Sequence, residues 1–185
     1  MLEKSEKKIQ YQKKEVIIDK EKGYKMEILL PETYSNIDQF LDDNKNGKAM
    51  IFGSGNCTPG GFWGNQKFAE QMANSGVVCL APIWSNNVQK HETNPTVRNE
   101  EWQAVIKFCQ KYNLKFFNYG TSYAGQQGAM NSVNQSECYG TTLVVPHLEP
   151  MMCVVKRLPN FIAKILKAGC MSDLENYLKN PASYQ

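Results

Sequence analysis

Histidine is scarce: the 185 residues hold only His91 and His147. An imidazole base supplied by these residues must be one of the two. The six cysteines show no Cys-x-x-Cys spacing, and Cys79 and Cys109 fall on apolar positions of a strand and a helix. They read as small buried hydrophobes rather than disulfide partners. With Cys and His scattered, neither zinc nor any other cofactor is expected. No run of about eighteen apolar residues occurs, so no membrane-spanning helix is expected, and no apolar segment of signal-peptide type follows Met1. The expectation is an intracellular, cytoplasmic chain, in which the sequons at Asn56 and Asn134 carry no meaning. A net charge of +3 is too small to imply a nucleic-acid partner. Much of the excess lies in the first twenty-five residues, where Lys4, Lys7, Lys8, Lys13, Lys14, Lys20, Lys22 and Lys25 alternate with acids. Such a run reads as a solvated tail over residues 1–14, or as an edge strand, with an anionic partner as the alternative.

What is present is one domain of alternating strand and helix patterns. Glu15–Asp19 and Tyr24–Pro31 read as antiparallel opening strands joined by a turn at Lys22–Gly23, followed by a polar linker, Ser35–Gly47, with one helical turn at Asp38–Leu41. Lys48–Phe52 reads as a strand that ends in the loop Gly53–Gly61. A helix with Phe68 and Met72 follows, then the strand Val77–Pro82. Trp102, Val105, Ile106 and Cys109 form one helical stripe, with Asn99 as N-cap and Glu100 and Glu101 in the first turn. Leu114–Tyr119 is a buried strand and Ala124–Val133 a helix. Between them stands Gly120-Thr121-Ser122-Tyr123-Ala124-Gly125. A sharp strand-to-helix turn needs minimal side chains beside a displayed nucleophile, and Gly120 and Ala124 supply them two residues either side of Ser122.

This succession resembles the α/β-hydrolase family, over about residues 24–150. Ile51–Gly61 and Gly76–Trp84 are similar to the dienelactone hydrolase, cutinase and polyester hydrolase branch, in which a Gly-rich oxyanion loop precedes a strand of the type xVVxxAPxx. The hexapeptide also resembles the Gly-Glu-Ser-Tyr-Ala-Gly of serine carboxypeptidases. The resemblance implies a mostly parallel sheet with helices on both faces and hydrolysis of a small ester or acyl substrate through an acyl-enzyme on Ser122. It implies an oxyanion site made of the Tyr123 N–H and an N–H from the loop carrying Gly55, Asn56 and Cys57. The family's usual His-Gly before this loop is Ser54-Gly55 here.

The family order of Ser, acid, then His is not met cleanly. His147 follows the strand Thr141–Val145 and is the candidate base, with Glu149 or Asp173 orienting it; a partly exposed histidine at a strand end is its bland reading. His91 lies in the polar loop Ser85–Asn99 and precedes the nucleophile. Trp63 and Trp84, just past two strand ends, either line an acyl pocket or pack in the core or at the rim. About thirty-five residues follow Pro150 and look helical, so the two C-terminal strands that carry acid and base in the family are expected to be missing or rebuilt. Leu158, Phe161, Ile162, Ile165 and Leu166 form one apolar helix face before Gly169, expected to cover the sheet, or else to leave a shortened sheet edge for a protein partner. Ser172-Asp173-Leu174-Glu175 reads as a capping box. The rival readings are a catalytically silent hydrolase-fold subunit of a larger assembly, and a fragment of a longer hydrolase whose base comes from elsewhere.

Overall fold

Six strands form one sheet in the order β1-β2-β4-β3-β5-β6. The structure is a computed structural model that describes residues 9–55, 58–85, 95–132 and 135–144. The strands are β1 (Tyr11–Asp19), β2 (Tyr24–Pro31), β3 (Lys48–Gly53), β4 (Val78–Ile83), β5 (Lys115–Thr121) and β6 (Cys138–Val144), and the helices are α1 (Ile37–Asp43), α2 (Gln66–Asn74), α3 (Pro95–Lys111) and α4 (Tyr123–Ser132). β2 pairs antiparallel with both β1 and β4, whereas β4, β3, β5 and β6 pair parallel in turn. Five strands therefore run one way and β2 alone runs against them.

The period of two along each strand sorts the core into two faces. Ile28, Ile51, Leu80 and Phe116 point to one side and pack against Trp102, Val105, Ile106 and Cys109 of α3, Phe40 and Leu41 of α1, and Ala124 of α4. Leu29, Met50, Phe52, Cys79 and Ala81 point to the other, where Ala69 of α2 and Phe62 cover them. A strand buried on both faces needs the near-continuous apolar run seen in Ala49–Phe52 and Val78–Ala81. The α3 stripe read from the sequence is the stripe buried here.

Several boundaries differ from the sequence reading: β6 begins at Cys138 rather than Thr141 and β5 runs on to Thr121 rather than Tyr119, and three further differences have a clear physical cause. β1 begins at Tyr11, so residues 11–14 belong to the ladder rather than to a tail; Tyr11 pairs with Pro31 and Lys14 with Ile28. Exposed lysines on a strand at the end of the sheet order do not oppose pairing, and they protect it from a further strand. The polar linker holds a longer helix than one turn, because Asn36 Oδ1 accepts the Asp38 N–H at 2.8 Å as an N-cap and Phe40 and Leu41 are buried. Asn99 does not cap α3. That helix starts four residues earlier at Pro95, a residue suited to a first helical position, and Asn99 is buried, accepting a bond from Asn131 Nδ2 at 2.9 Å.

Cys79, Cys109 and Cys138 are free thiols. Burial pushes the Cys79 thiol up to about 12 and raises that of Cys109 as well. With so little thiolate near neutral pH, native Cys79 is expected to react with an aromatic disulfide reagent about 10³-fold more slowly than an ordinary thiol. Timed thiol labelling with peptide mass mapping checks this; full reactivity should return only on unfolding.

Candidate active site

β5 ends at Thr121 and α4 starts at Tyr123, so Ser122 alone makes the turn between strand and helix. It does so with φ at +56°. A left-handed conformation costs a non-glycine residue about 1–3 kcal/mol and persists only where the surroundings enforce it. Three neighbours enforce it. Gly120 lies directly under the start of α4, where a Cβ would stand 2.4 Å from the Ala124 carbonyl oxygen and 2.5 Å from Gly125 Cα. The Gly125 N–H donates to Ser122 O at 3.0 Å and closes the first turn. Ala124 is buried against the end of β3, which seats the first turn of α4 on the sheet.

β3 and β5 are neighbours in register, Gly53 opposite Gly120, which brings the loop after β3 beside the elbow. Thr121 Oγ1 donates to Gly53 O at 3.1 Å. Gly55 faces Ser122 directly: a Cβ on it would lie 3.0 Å from Ser122 Cβ and 3.4 Å from Ser122 Oγ. Beneath it runs a short chain of hydroxyls. Thr58 Oγ1 donates to Gly55 O at 2.8 Å, and because a threonine has one hydroxyl proton, Ser54 must donate to Thr58 Oγ1, also at 2.8 Å. Both side chains are buried. The first N–H groups of α4, beginning with that of Tyr123, have no partner within the helix and carry the positive end of its dipole.

A polar network that the sequence reading missed fastens α4 and α3 to the sheet. Asn118, fully buried in β5, accepts the Trp102 Nε1–H at 3.3 Å and donates through Nδ2 to Gly128 O at 3.2 Å and Ser132 Oγ at 3.0 Å. Asn131 Nδ2 also donates to Gln127 O at 2.8 Å, and Gln103 bonds to Asn131 Oδ1. The one signal in the sequence was a lone polar residue inside the apolar run of β5. Arg98 and Glu101 are also buried. Glu101 Oε1 accepts the Ser85 N–H at 2.7 Å; burial raises its carboxyl pKa most, with the Ser85 bond and the Arg98 charge pulling it back.

Trp84, read from the sequence as either pocket or core, packs in the core cluster. It is buried, stacks on Trp102 at 6.4 Å between ring centroids, and carries the Arg98 guanidinium 4.9 Å from its ring. Trp63 is exposed. Asn56, Cys57, His91, His147, Glu149, Asp173 and the residues 158–166 lie outside the described residues, as does the Tyr123 side chain. β6 runs parallel beside β5 with Val144 opposite Thr121, so the described chain ends level with the elbow. Among the described residues, no three His, Cys, Asp or Glu side chains gather as a metal site, and no helix is long and apolar enough to cross a membrane.

By sequence, the chain matches no family model and no curated protein. By structure it is similar to an esterase from Pyrococcus furiosus (TM-score 0.55, 14% identity, covering 87% of this chain and 63% of that one). It is also similar to a dienelactone hydrolase from Anabaena variabilis (0.53, 14%, 81% and 69%) and to carboxyl esterase 2 from Tuber melanosporum (0.60, 11%, 98% and 62%). The chain thus spans less than two thirds of the length of either esterase. A parallel sheet flanked by helices, a tight turn carrying a serine at its carboxyl edge and these structural likenesses agree: the chain has the α/β-hydrolase fold.

Proposed function

We propose that the protein is a serine carboxylic-ester hydrolase that forms an acyl-enzyme on Ser122. The observation that carries this reading is the left-handed Ser122 between β5 and α4, with Gly55 against its Cβ. Asn46 and Asn113 share the left-handed region in turns, which asparagine tolerates well; a serine held there between strand and helix presents its hydroxyl at the mouth of the sheet. In the proposed reaction, Ser122 Oγ attacks the ester carbonyl as its proton passes to His147, with Glu149 or Asp173 orienting the imidazole. The carbonyl oxygen becomes an oxyanion held by the Tyr123 N–H and a backbone N–H of the Ser54–Cys57 loop, each donor worth about 3 kcal/mol in the transition state. The protonated base then releases the alcohol, and water repeats the sequence on the acyl group. The fold likeness to esterases supports the class of reaction, and the substrate is proposed to be a small ester.

The test is turnover of a short p-nitrophenyl ester together with stoichiometric labelling by an alkyl phosphonate fluoride, followed by intact mass. His147→Ala is expected to lower kcat by at least about 10³-fold, and His91→Ala to leave it within about threefold. Loss confined to His91→Ala, with His147→Ala near the wild type, would move the base to His91, and equal loss in the two would overturn the assignment of His147 as sole base. A protein that neither turns over nor takes up the phosphonate at Ser122 is the silent subunit instead.

A further inference from the structure

We infer that Glu27 is a positioning residue whose carboxylate holds the loop after β3 bent across the end of β4, and so keeps Gly55 seated against Ser122. This inference rests on the hydrolase reading for its effect on turnover, but not for its geometry.

Glu27 lies in β2, opposite Ala81 of β4 and opposite Glu15 of β1. Two carboxylates facing each other across an antiparallel pair are unfavourable, and Glu is a poor strand former. Local structure therefore gives no reason for an acid here. Glu15 turns away to an ion pair with Lys25 at 2.7 Å. Glu27 reaches the other way, over β4, and its Oε2 accepts the Phe62 N–H at 2.8 Å. A hydrogen bond to a charged acceptor is about twice as strong as a neutral one.

The contacts along the loop show what this bond completes. Leaving β3, the chain is tied at Gly55 by Thr58. It then crosses the tip of β4, where the Trp84 N–H donates to Pro59 O at 3.1 Å and the Gly61 N–H to Pro82 O at 2.7 Å, with Gly60 bridged to Ile83. Glu27 fixes the far end at Phe62, whose ring is buried 5.6 Å from Phe52. Gly61 fits the carboxylate closely: its φ is +62°, and a Cβ there would stand 2.4 Å from Glu27 Oε2. The far end of the segment is thus held at β2, while its near end, Gly55, is tied back to Thr58 and stands against Ser122.

Amide hydrogen exchange and ester kinetics on the full chain test this. Glu27→Ala is expected to speed exchange across residues 58–62 and to lower kcat by about 10- to 100-fold, the scale of a misplacement of about 1 Å, with KM within about twofold. Glu27→Gln keeps an acceptor of the same reach and should restore kcat to within about threefold, while Glu27→Asp, one methylene short, should behave as Glu27→Ala; the Asp variant also serves if the Ala variant does not fold. Unchanged exchange in Glu27→Ala or Glu27→Asp overturns the inference, as does faster exchange with unchanged kcat. If the wild type itself shows no turnover, the hydrolase reading fails, and exchange at Phe62 alone decides whether Glu27 holds the loop.

Discussion

Replacing Ser122 by glycine is expected to abolish ester turnover and at the same time to make the protein more stable. The two effects have separate causes. In the proposed mechanism the hydroxyl carries the acyl group, so kcat should fall by at least about 10⁴-fold in both Ser122→Gly and Ser122→Ala. Stability should distinguish them. Ser122 sits at φ +56°, a conformation that costs alanine as much as serine but that glycine adopts freely. After the extra entropy that glycine has in the unfolded chain, Ser122→Gly should gain about 0.5–1 kcal/mol, a rise in Tm of about 1–4 °C for a chain of this size. Ser122→Ala should shift it little. Thermal unfolding of the three proteins under one condition checks this. Equal Tm values for the glycine and alanine variants would mean that residue 122 is not held in the left-handed region, and the elbow would then give no argument for a nucleophile.

How far the sequence foretells this structure depends on the distance between partners. The elbow was legible because its determinants are neighbours: Gly120, Ser122 and Ala124 meet within five residues, and backbone sterics act at that range. β3, β4 and β5 were legible as apolar runs, and the α3 stripe as a periodicity, because burial acts on each element separately. The buried polar groups were not. Asn118 is satisfied by Trp102, Gly128 and Ser132, each ten to sixteen residues away, and Glu27 by a backbone N–H thirty-five residues on. In sequence each is only a polar letter in the wrong place. The start of α3 was misread for a related reason: Asn99 has the chemistry of an N-cap, but tertiary packing gives its side chain to Asn131, and Pro95 was the better local signal. Trp84 was ambiguous between pocket and core because its position past a strand end fits both, and its packing against Trp102 and Arg98 comes from residues fourteen or more positions away.

Gly120→Ala should be among the most damaging single-methyl additions to this protein. The added Cβ would stand 2.4 Å from Ala124 O, 2.5 Å from Gly125 Cα and 2.6 Å from Ala124 C. All three are backbone atoms in the first turn of α4, so no rotamer change relieves the clash. The helix start must move by most of an ångström or β5 must bend. Neither is easy, since Gly120 pairs with Gly53 on one side and Leu143 on the other. Overpacking of this kind costs about 3 kcal/mol, a fall in Tm of about 6–12 °C. Gly128→Ala, in the same helix, is the matched control. Its Cβ would meet Asn118 Cβ and Trp102 at 3.4 Å, and the gain in helix propensity of up to about 1 kcal/mol offsets that contact. Its Tm should therefore stay level or rise. Turnover should follow the same division, because a helix start displaced by about 1 Å carries Ser122 and the Tyr123 N–H with it and costs about 10²-fold in kcat. If Gly120→Ala and Gly128→Ala unfold together and hydrolyse ester equally well, α4 does not double back over β5 as described, and Ser122 has no turn to be displayed on.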